Sequence, residues 1–198
     1  MVIAILANDD QFEEIRKDVT GIEWIRLNSM KDICADADAY IILQEDIEYH
    51  FEKLTKPVII NSVTVTLKEL NAAATVLRIN GWSSFLSRNN WEAAGIMNET
   101  IVQILTALKK KCCMVADEPG FIAAKIIAMI INEAYFSLGE KVSSKAEIDI
   151  AMKLGTNYPY GPFEWAEIIG KKRIFSLLHK LSLADSRYLP APFLQQEI

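Results

Sequence analysis

The chain has 198 residues, of which 51% are apolar and 24% charged, a mix that excludes a disordered tail and suits one ordinary domain or two small ones. Its formal net charge of −5 argues against a nucleic-acid or anionic-membrane partner. The longest apolar stretch, 121–138, is broken by Lys125, Asn132 and Glu133, so it reads as a buried helix and not as a membrane span.

Short runs rich in Ile, Val and Leu open the chain at residues 2–6, 22–27, 39–43 and 57–61. They show little polar alternation, which fits strands buried on both faces of a parallel sheet. Helices are predicted between and after them at 10–18, 29–34, 47–54 and 67–73. Strand–helix repetition with short connections implies a doubly wound α/β domain. Extended pieces at 76–80 and 112–116, with a helix at about 98–110 between them, complete the sheet. Lys109, Lys110 and Lys111, the one basic run, complement that helix's C-terminal dipole.

The pattern changes near residue 117, and no strand signal follows residue 116. Asp117 or Glu118 is placed to cap a helix with Pro119 in its first turn, running to residue 138 and ended by Gly139. Ser144-Lys145-Ala146-Glu147 is a capping box for a second helix ending near Gly155. A turn cluster, Asn157 to Pro162, precedes helices at about 163–168 and 171–181. The domains are thus expected at 1–116, α/β, and 117–198, all-α. The 119–138 helix is apolar on nearly every face, more than eighty residues can cover, so a homodimer through these C-terminal helices is expected.

The three cysteines are an odd count: Cys34, and the adjacent pair Cys112 and Cys113. Neither a disulfide nor a zinc site suits that spacing, so reduced, buried thiols in a cytoplasmic protein and no metal are expected. The first strand has no basic leader and is stopped by Asn8-Asp9-Asp10, too early for a signal peptide.

Five motifs of the back half resemble the helical domain of 3-hydroxyacyl-CoA dehydrogenases. Asp117-Glu118-Pro119-Gly120-Phe121 is similar to that family's Asp-Ser-Pro-Gly-Phe, and Asn132-Glu133-Ala134 to its Asn-Glu-Ala. Ile148-Asp149-Ile150-Ala151-Met152-Lys153-Leu154-Gly155 matches Ile-Asp-x-Ala-Met-x-Leu-Gly, and Pro159-Tyr160-Gly161-Pro162-Phe163-Glu164 matches Pro-x-Gly-Pro-Phe-Glu. Arg187-Tyr188-Leu189-Pro190-Ala191-Pro192 resembles the closing Arg-Tyr-x-Pro-x-Pro. The resemblance implies a shortened Rossmann-like sheet domain, a dimerising helical domain, and an interdomain cleft, here with Asn61, Pro119, Gly120 and Phe121. In that family a His–Glu pair handles the proton of the 3-hydroxyl, while a Ser and an Asn place the substrate.

The family's chemistry is not matched residue by residue. A dinucleotide cradle needs glycines after the first strand, but the turn reads Ala7-Asn8-Asp9-Asp10 and no glycine precedes Gly21. Acids there oppose a diphosphate: two unit charges about 6 Å apart repel by about 3 kcal/mol at an effective dielectric near 20. Where the family has a ribose-holding acid, Arg26-Leu27-Asn28-Ser29 offers none, and Asn28 reads as a helix cap. Ser83 stands at the catalytic histidine's position in Arg78-Ile79-Asn80-Gly81-Trp82-Ser83, and a hydroxyl does not titrate near neutral pH. His50, in a predicted surface helix, and His179, a half-buried packing residue, do not replace it. Glu92 falls at the partner glutamate, Ser62 or Thr64 supplies the remaining hydroxyl, and Ala124 occupies the position of the catalytic Asn, followed by Lys125.

The expectation is a 3-hydroxyacyl-CoA dehydrogenase-like protein with weakened or lost NAD-dependent activity, keeping its scaffold and a cleft for an acyl-CoA-like ligand. An active NAD-dependent enzyme of fatty acid metabolism and a structural partner of a genuine dehydrogenase subunit are the alternatives.

Overall fold

The computed structural model describes residues 1–32, 36–45, 47–49, 51 and 54–198. The chain divides into two compact units, Met1–Phe121 and Ile122–Ile198. Cys34 and His50 lie outside the described residues, as do parts of the helices predicted at 29–34 and 47–54; the described residues 47–49 are not helical.

The first unit is a seven-stranded sheet in the order β2-β1-β3-β4-β5-β6-β7. Its strands are β1 (Val2–Leu6), β2 (Glu23–Arg26), β3 (Ala39–Ile42), β4 (Val58–Asn61), β5 (Val76–Ile79), β6 (Asn90–Gly95) and β7 (Lys111–Met114). All neighbours pair in parallel except β5 and β6. Alternation along each strand explains the unbroken apolar runs. Ile3 and Ile5 of β1 enter one core with Ile41, Ile59 and Leu77, while Ala4 and Leu6 enter the other with Tyr40, Ile42, Val58 and Ile60. The first core is covered by α1 (Asp9–Arg16) through Ile15 and by α2 (Glu99–Ala107) through Ile101, Ile104 and Leu105. Such two-sided burial is the physical content of a Val/Ile-rich parallel strand.

One predicted element changes here, and one strand is present that the sequence did not indicate. The helix expected at 67–73 is a single turn: Thr66 and Glu69 cap each other, and Asn71 turns left-handed (φ 48°), which ends it. Residues 90–95 form β6, whose Asn-Trp-Glu-Ala-Ala-Gly composition carries little strand propensity; burial of Trp91, Ala93 and Ala94 holds it in the sheet.

The second unit is all helical: α3 (Ala123–Gly139), α4 (Lys145–Thr156), α5 (Pro162–Ile169), α6 (Lys171–Ser182), a 3-10 turn at Ser186–Tyr188, and α7 (Pro192–Gln196). The helix expected from Pro119 begins later, because Gly120 (φ 87°) and Phe121 (φ 50°) both adopt left-handed backbone. Asp117 is no cap; it accepts the backbone N–H groups of Leu67 and Lys68. Nor does Gly139 terminate α3 through its conformation. Lys141 takes the left-handed position (φ 59°), and the Lys141 and Val142 N–H groups close on Leu138 and Ser137. Gly139 instead packs closely on Phe193: a Cβ there would lie 3.0 Å from the ring, which would have to shift by a few tenths of an ångström. Ser144 and Glu147 form the expected capping box of α4, and Asn157 (φ 56°) ends it.

No helix among the described residues is long and apolar enough to cross a membrane, and none of their His, Cys, Asp and Glu side chains cluster to hold a metal ion. The thiols depart from expectation: Cys113 is exposed and Cys112 only half-buried, with burial pushing Cys112 up to about 11. His179 is exposed and stacks on Phe175 at 5.9 Å between ring centroids.

Candidate functional site

In an open parallel sheet, ligands bind beyond the carboxyl ends of the strands, so the loops after β1, β2, β4 and β5 are the place to look. The turn after β1 is closed by its own side chains. Asn8 Oδ1 accepts from the Gln11 N–H at 2.8 Å, and Gln11 Oε1 accepts from the Asn8 N–H at 3.1 Å. Gln11 is buried, and its Nε2 donates to the Leu43 carbonyl at 2.9 Å, tying the turn to the end of β3. The helix start therefore presents the carboxylates of Asp9 and Asp10, with two of the local N–H donors already taken. Arg26, at the end of β2, lies across the turn: its Nη2 is 3.0 Å from both the Ala7 carbonyl and Asp9 Oδ1, and its guanidinium sits 4.4 Å above the Phe12 ring. Arg26 is thereby paired. A pyrophosphate needs bare N–H groups and close backbone approach, and these residues do not fit it.

Asn28 does not cap a helix. The turn after β2 is instead bound by Asp32, whose Oδ2 accepts from the Asn28 and Ser29 N–H groups at 3.2 and 3.0 Å.

Beyond β4 and β5 the predicted site residues are engaged with the fold. Asn61 is buried; its amide donates to the Leu43 carbonyl at 3.1 Å and its Oδ1 accepts from the Gly81 N–H at 3.0 Å. Gly81 has no room for a side chain, since a Cβ would lie 2.9 Å from Asn61. Ser62 Oγ donates to the Val65 carbonyl at 2.7 Å, and Thr64 is half-buried. Ser83 is half-buried in the turn after β5; the next residue, Ser84, is left-handed (φ 70°). The turn is held by Glu14 of α1, whose carboxylate accepts the Ser84 and Ser87 N–H groups at 3.1 and 2.8 Å. Glu92 lies on β6 and accepts from Asn80 Nδ2 at 3.2 Å. A hydroxyl and a carboxylate held this way supply no imidazole-type base.

The residue that organises this loop region is Arg78, which appeared in the sequence only as the first letter of a motif. It is fully buried on β5. Nη1 donates to the carbonyls of Ser62 and Val65 at 3.0 and 3.2 Å, and Nη2 to that of Glu118 at 2.7 Å. Nε is 3.0 Å from Asp117 Oδ1, and the guanidinium lies 4.2 Å from the centre of the Phe121 ring. Burial lowers its pKa, and Asp117 and Glu69 oppose the shift. Pro119, Gly120 and Phe121 belong to the same knot, because the Gly120 N–H donates to the Val63 carbonyl at 2.8 Å. The signal was available: a charged residue inside a fully buried Val-Leu-Arg-Ile strand must be paired.

In the helical unit the sequence motifs hold the fold together. Asn132 of α3 is buried, donating to the Leu189 carbonyl at 2.9 Å and accepting from the Ala191 N–H at 2.8 Å, so it clamps the Leu189-Pro190-Ala191 segment. Asp149 of α4 accepts the Phe163 and Glu164 N–H groups at 2.8 and 3.2 Å and so caps α5 from outside. Glu197 gathers Tyr135, Lys145 and Lys171. Burial alone raises its carboxyl; hydrogen bonds from Lys145, Lys171 and Tyr135 outweigh this and hold it at about 2. Ala124, in the first turn of α3, is fully buried and offers no polar atom.

The chain is a mostly parallel sheet unit followed by a helical unit, and the match to a known family falls on the helical unit. Residues 120–197 match the family described as 3-hydroxyacyl-CoA dehydrogenase, C-terminal domain. It is 44% identical over 89 residues to 3-hydroxyadipyl-CoA dehydrogenase of Escherichia coli (strain K12), covering 44% of this chain and 19% of that protein. It is 40% identical over 98 residues to 3-hydroxybutyryl-CoA dehydrogenase of Bradyrhizobium diazoefficiens, covering 48% of this chain and 33% of that protein. The aligned segment is thus no more than a third of either relative. The fold is shared more widely: the crystal structure of (S)-3-hydroxybutyryl-CoA dehydrogenase from Ralstonia eutropha matches with a TM-score of 0.72 at 20% identity, covering 98% of this chain and 92% of that one. The sheet unit is accordingly Rossmann-like.

Proposed function

We propose that this chain is a 3-hydroxyacyl-CoA dehydrogenase homologue in which NAD-dependent chemistry is lost or much weakened, while the scaffold and binding of an acyl-CoA-class ligand are kept. The observation that carries the reading is the turn after β1, where the Asn8–Gln11 box and two carboxylates stand in place of a glycine cradle. Ser83 and Ala124, at the positions of the family's catalytic His and Asn, support it independently, since neither side chain moves a proton near neutral pH. The protein works in the cytoplasm as a homodimer through its C-terminal helices, where the exposed apolar side chains of α3 need cover. An active enzyme is the competing reading, and it rests on the preserved helical domain alone; a fold does not carry an activity.

Incubation of the full chain with NADH and acetoacetyl-CoA separates the two. No NADH is consumed above the protein-free rate, while acetoacetyl-CoA alone raises the thermal midpoint, as any ligand of the native state does. Turnover of NADH refutes the loss of activity, and an unmoved midpoint removes the acyl-CoA ligand.

A further inference from the structure

The sheet has two open edges, and they are built differently. β2, on one side, carries an exposed charged residue at each end, Glu23 and Arg26, and charge at an edge discourages a further strand. β7, on the other, has Lys111 and then Cys112-Cys113-Met114, and no charge recurs before Asp117. It pairs with β6 alone, in parallel. The Lys111 and Val115 N–H groups donate to the Asn89 and Ala93 carbonyls at 2.8 and 2.9 Å, so residues 111, 113 and 115 bond inward. The main-chain groups of Cys112 and Met114 therefore point out of the sheet. Beside them Cys113 is exposed and Met114 is 42% exposed. A nearly uncharged edge with outward main-chain groups is a template for another strand.

We infer that β7 pairs with β7 of a second copy, antiparallel about a two-fold axis at Cys113, so that two sheets join edge to edge. The strand is complementary to itself when reversed, because its outward residues, 112 and 114, lie symmetrically about 113. Cys112 and the partner's Met114 then exchange both main-chain hydrogen bonds, and their apolar side chains fall on one face. Lys111 falls opposite the partner's Val115, so the two lysines stand at opposite ends of the ribbon and do not repel. The neighbouring registers are worse. An axis at Cys112 sets Met114 against the partner's Lys110, whose N–H is already given to the Leu105 carbonyl at 2.8 Å. An axis at Met114 sets Cys112 against the partner's Ala116, whose carbonyl already accepts from the Glu118 N–H at 2.9 Å. The contact is isologous, lies wholly on the sheet unit, and stands whether or not the C-terminal helices dimerise.

Oxidation of the full chain with Cys113 as its sole cysteine (Cys34→Ala, Cys112→Ala) tests it. In this register the two Cys113 residues form a non-hydrogen-bonded pair with Cα atoms about 4.5 Å apart, within the span of a disulfide. Diamide, which takes up the two thiol hydrogens as the S–S bond forms, is expected to give a covalent dimer on a non-reducing gel. Met114→Pro in the same chain removes an outward N–H and none that bonds to β6, so the sheet stands. The crosslinking rate is expected to fall at least about tenfold, while alkylation of Cys113 by N-ethylmaleimide proceeds as before. A sole cysteine at position 111 (Lys111→Cys with Cys113→Ala) is expected not to crosslink to itself, and to crosslink when mixed with a chain whose sole cysteine is at position 115 (Val115→Cys with Cys113→Ala). No covalent dimer through Cys113, or one formed as fast with Met114→Pro, overturns the pairing. Position 111 crosslinking to itself, or failing to crosslink to position 115, overturns the register.

Discussion

Arg78→Met is expected to cost the sheet unit about 3–5 kcal/mol, the range found when one partner of a buried charge pair is removed. Methionine keeps much of the arginine's unbranched length, so a large cavity is not the main cause. It withdraws the donors from the carbonyls of Ser62, Val65 and Glu118 and leaves Asp117 without its cation. Replacing a whole ion pair by apolar groups is often harmless, but backbone carbonyls cannot be replaced. Urea denaturation measures the loss, and hydrogen exchange read by segment locates it in residues 62–67 and 117–121. A variant within about 0.5 kcal/mol of wild type, the range of ordinary surface changes, contradicts the role given to Arg78.

Gly161→Ala is expected to cost the helical unit about 2–4 kcal/mol, overpacking and a lost cap acting together. A Cβ at this position lies 2.4 Å from Cβ, Cγ and Oδ1 of Asp149. Asp149 cannot retreat without releasing the Phe163 and Glu164 N–H groups that start α5. The backbone of Gly161 is ordinary (φ −75°), so the cost is steric and not conformational. Gly155→Ala is the control: nothing lies within 4 Å of a Cβ there, and in α4 alanine gains up to about 1 kcal/mol over glycine. Equal thermal midpoints for the two variants sink the explanation.

Those two residues show what a single sequence reveals and what it hides. The strands were legible because burial on both faces leaves unbroken apolar runs, and the Ser144–Glu147 box because its partners are three residues apart. The helical domain was legible through motifs such as Asp149 and Gly161, although their shared purpose, a carboxylate seated where a side chain is missing, requires the fold to see. Asp117 was read as a local cap; it instead serves Leu67 and Lys68, fifty residues away, and pairs with Arg78. Local reading offered no strand at β6, where burial of Trp91, Ala93 and Ala94 overrides a composition poor in strand formers, and it failed at the 66–72 turn. The candidate site followed the same rule. The missing glycines were plain in the sequence, but that Asn61 and Ser62 are bound to the backbone, and that Arg26 lies over Phe12 across the first turn, depends on contacts between distant strands.

The most direct test of lost cofactor chemistry is a titration of NADH with the full chain, followed by nicotinamide fluorescence. The Asn8–Gln11 box and the carboxylates of Asp9 and Asp10 predict no saturable change at cofactor concentrations that fill a working dinucleotide site. A saturable rise in fluorescence, reversed by competing NAD, contradicts this and returns the protein to the dehydrogenases as a working enzyme.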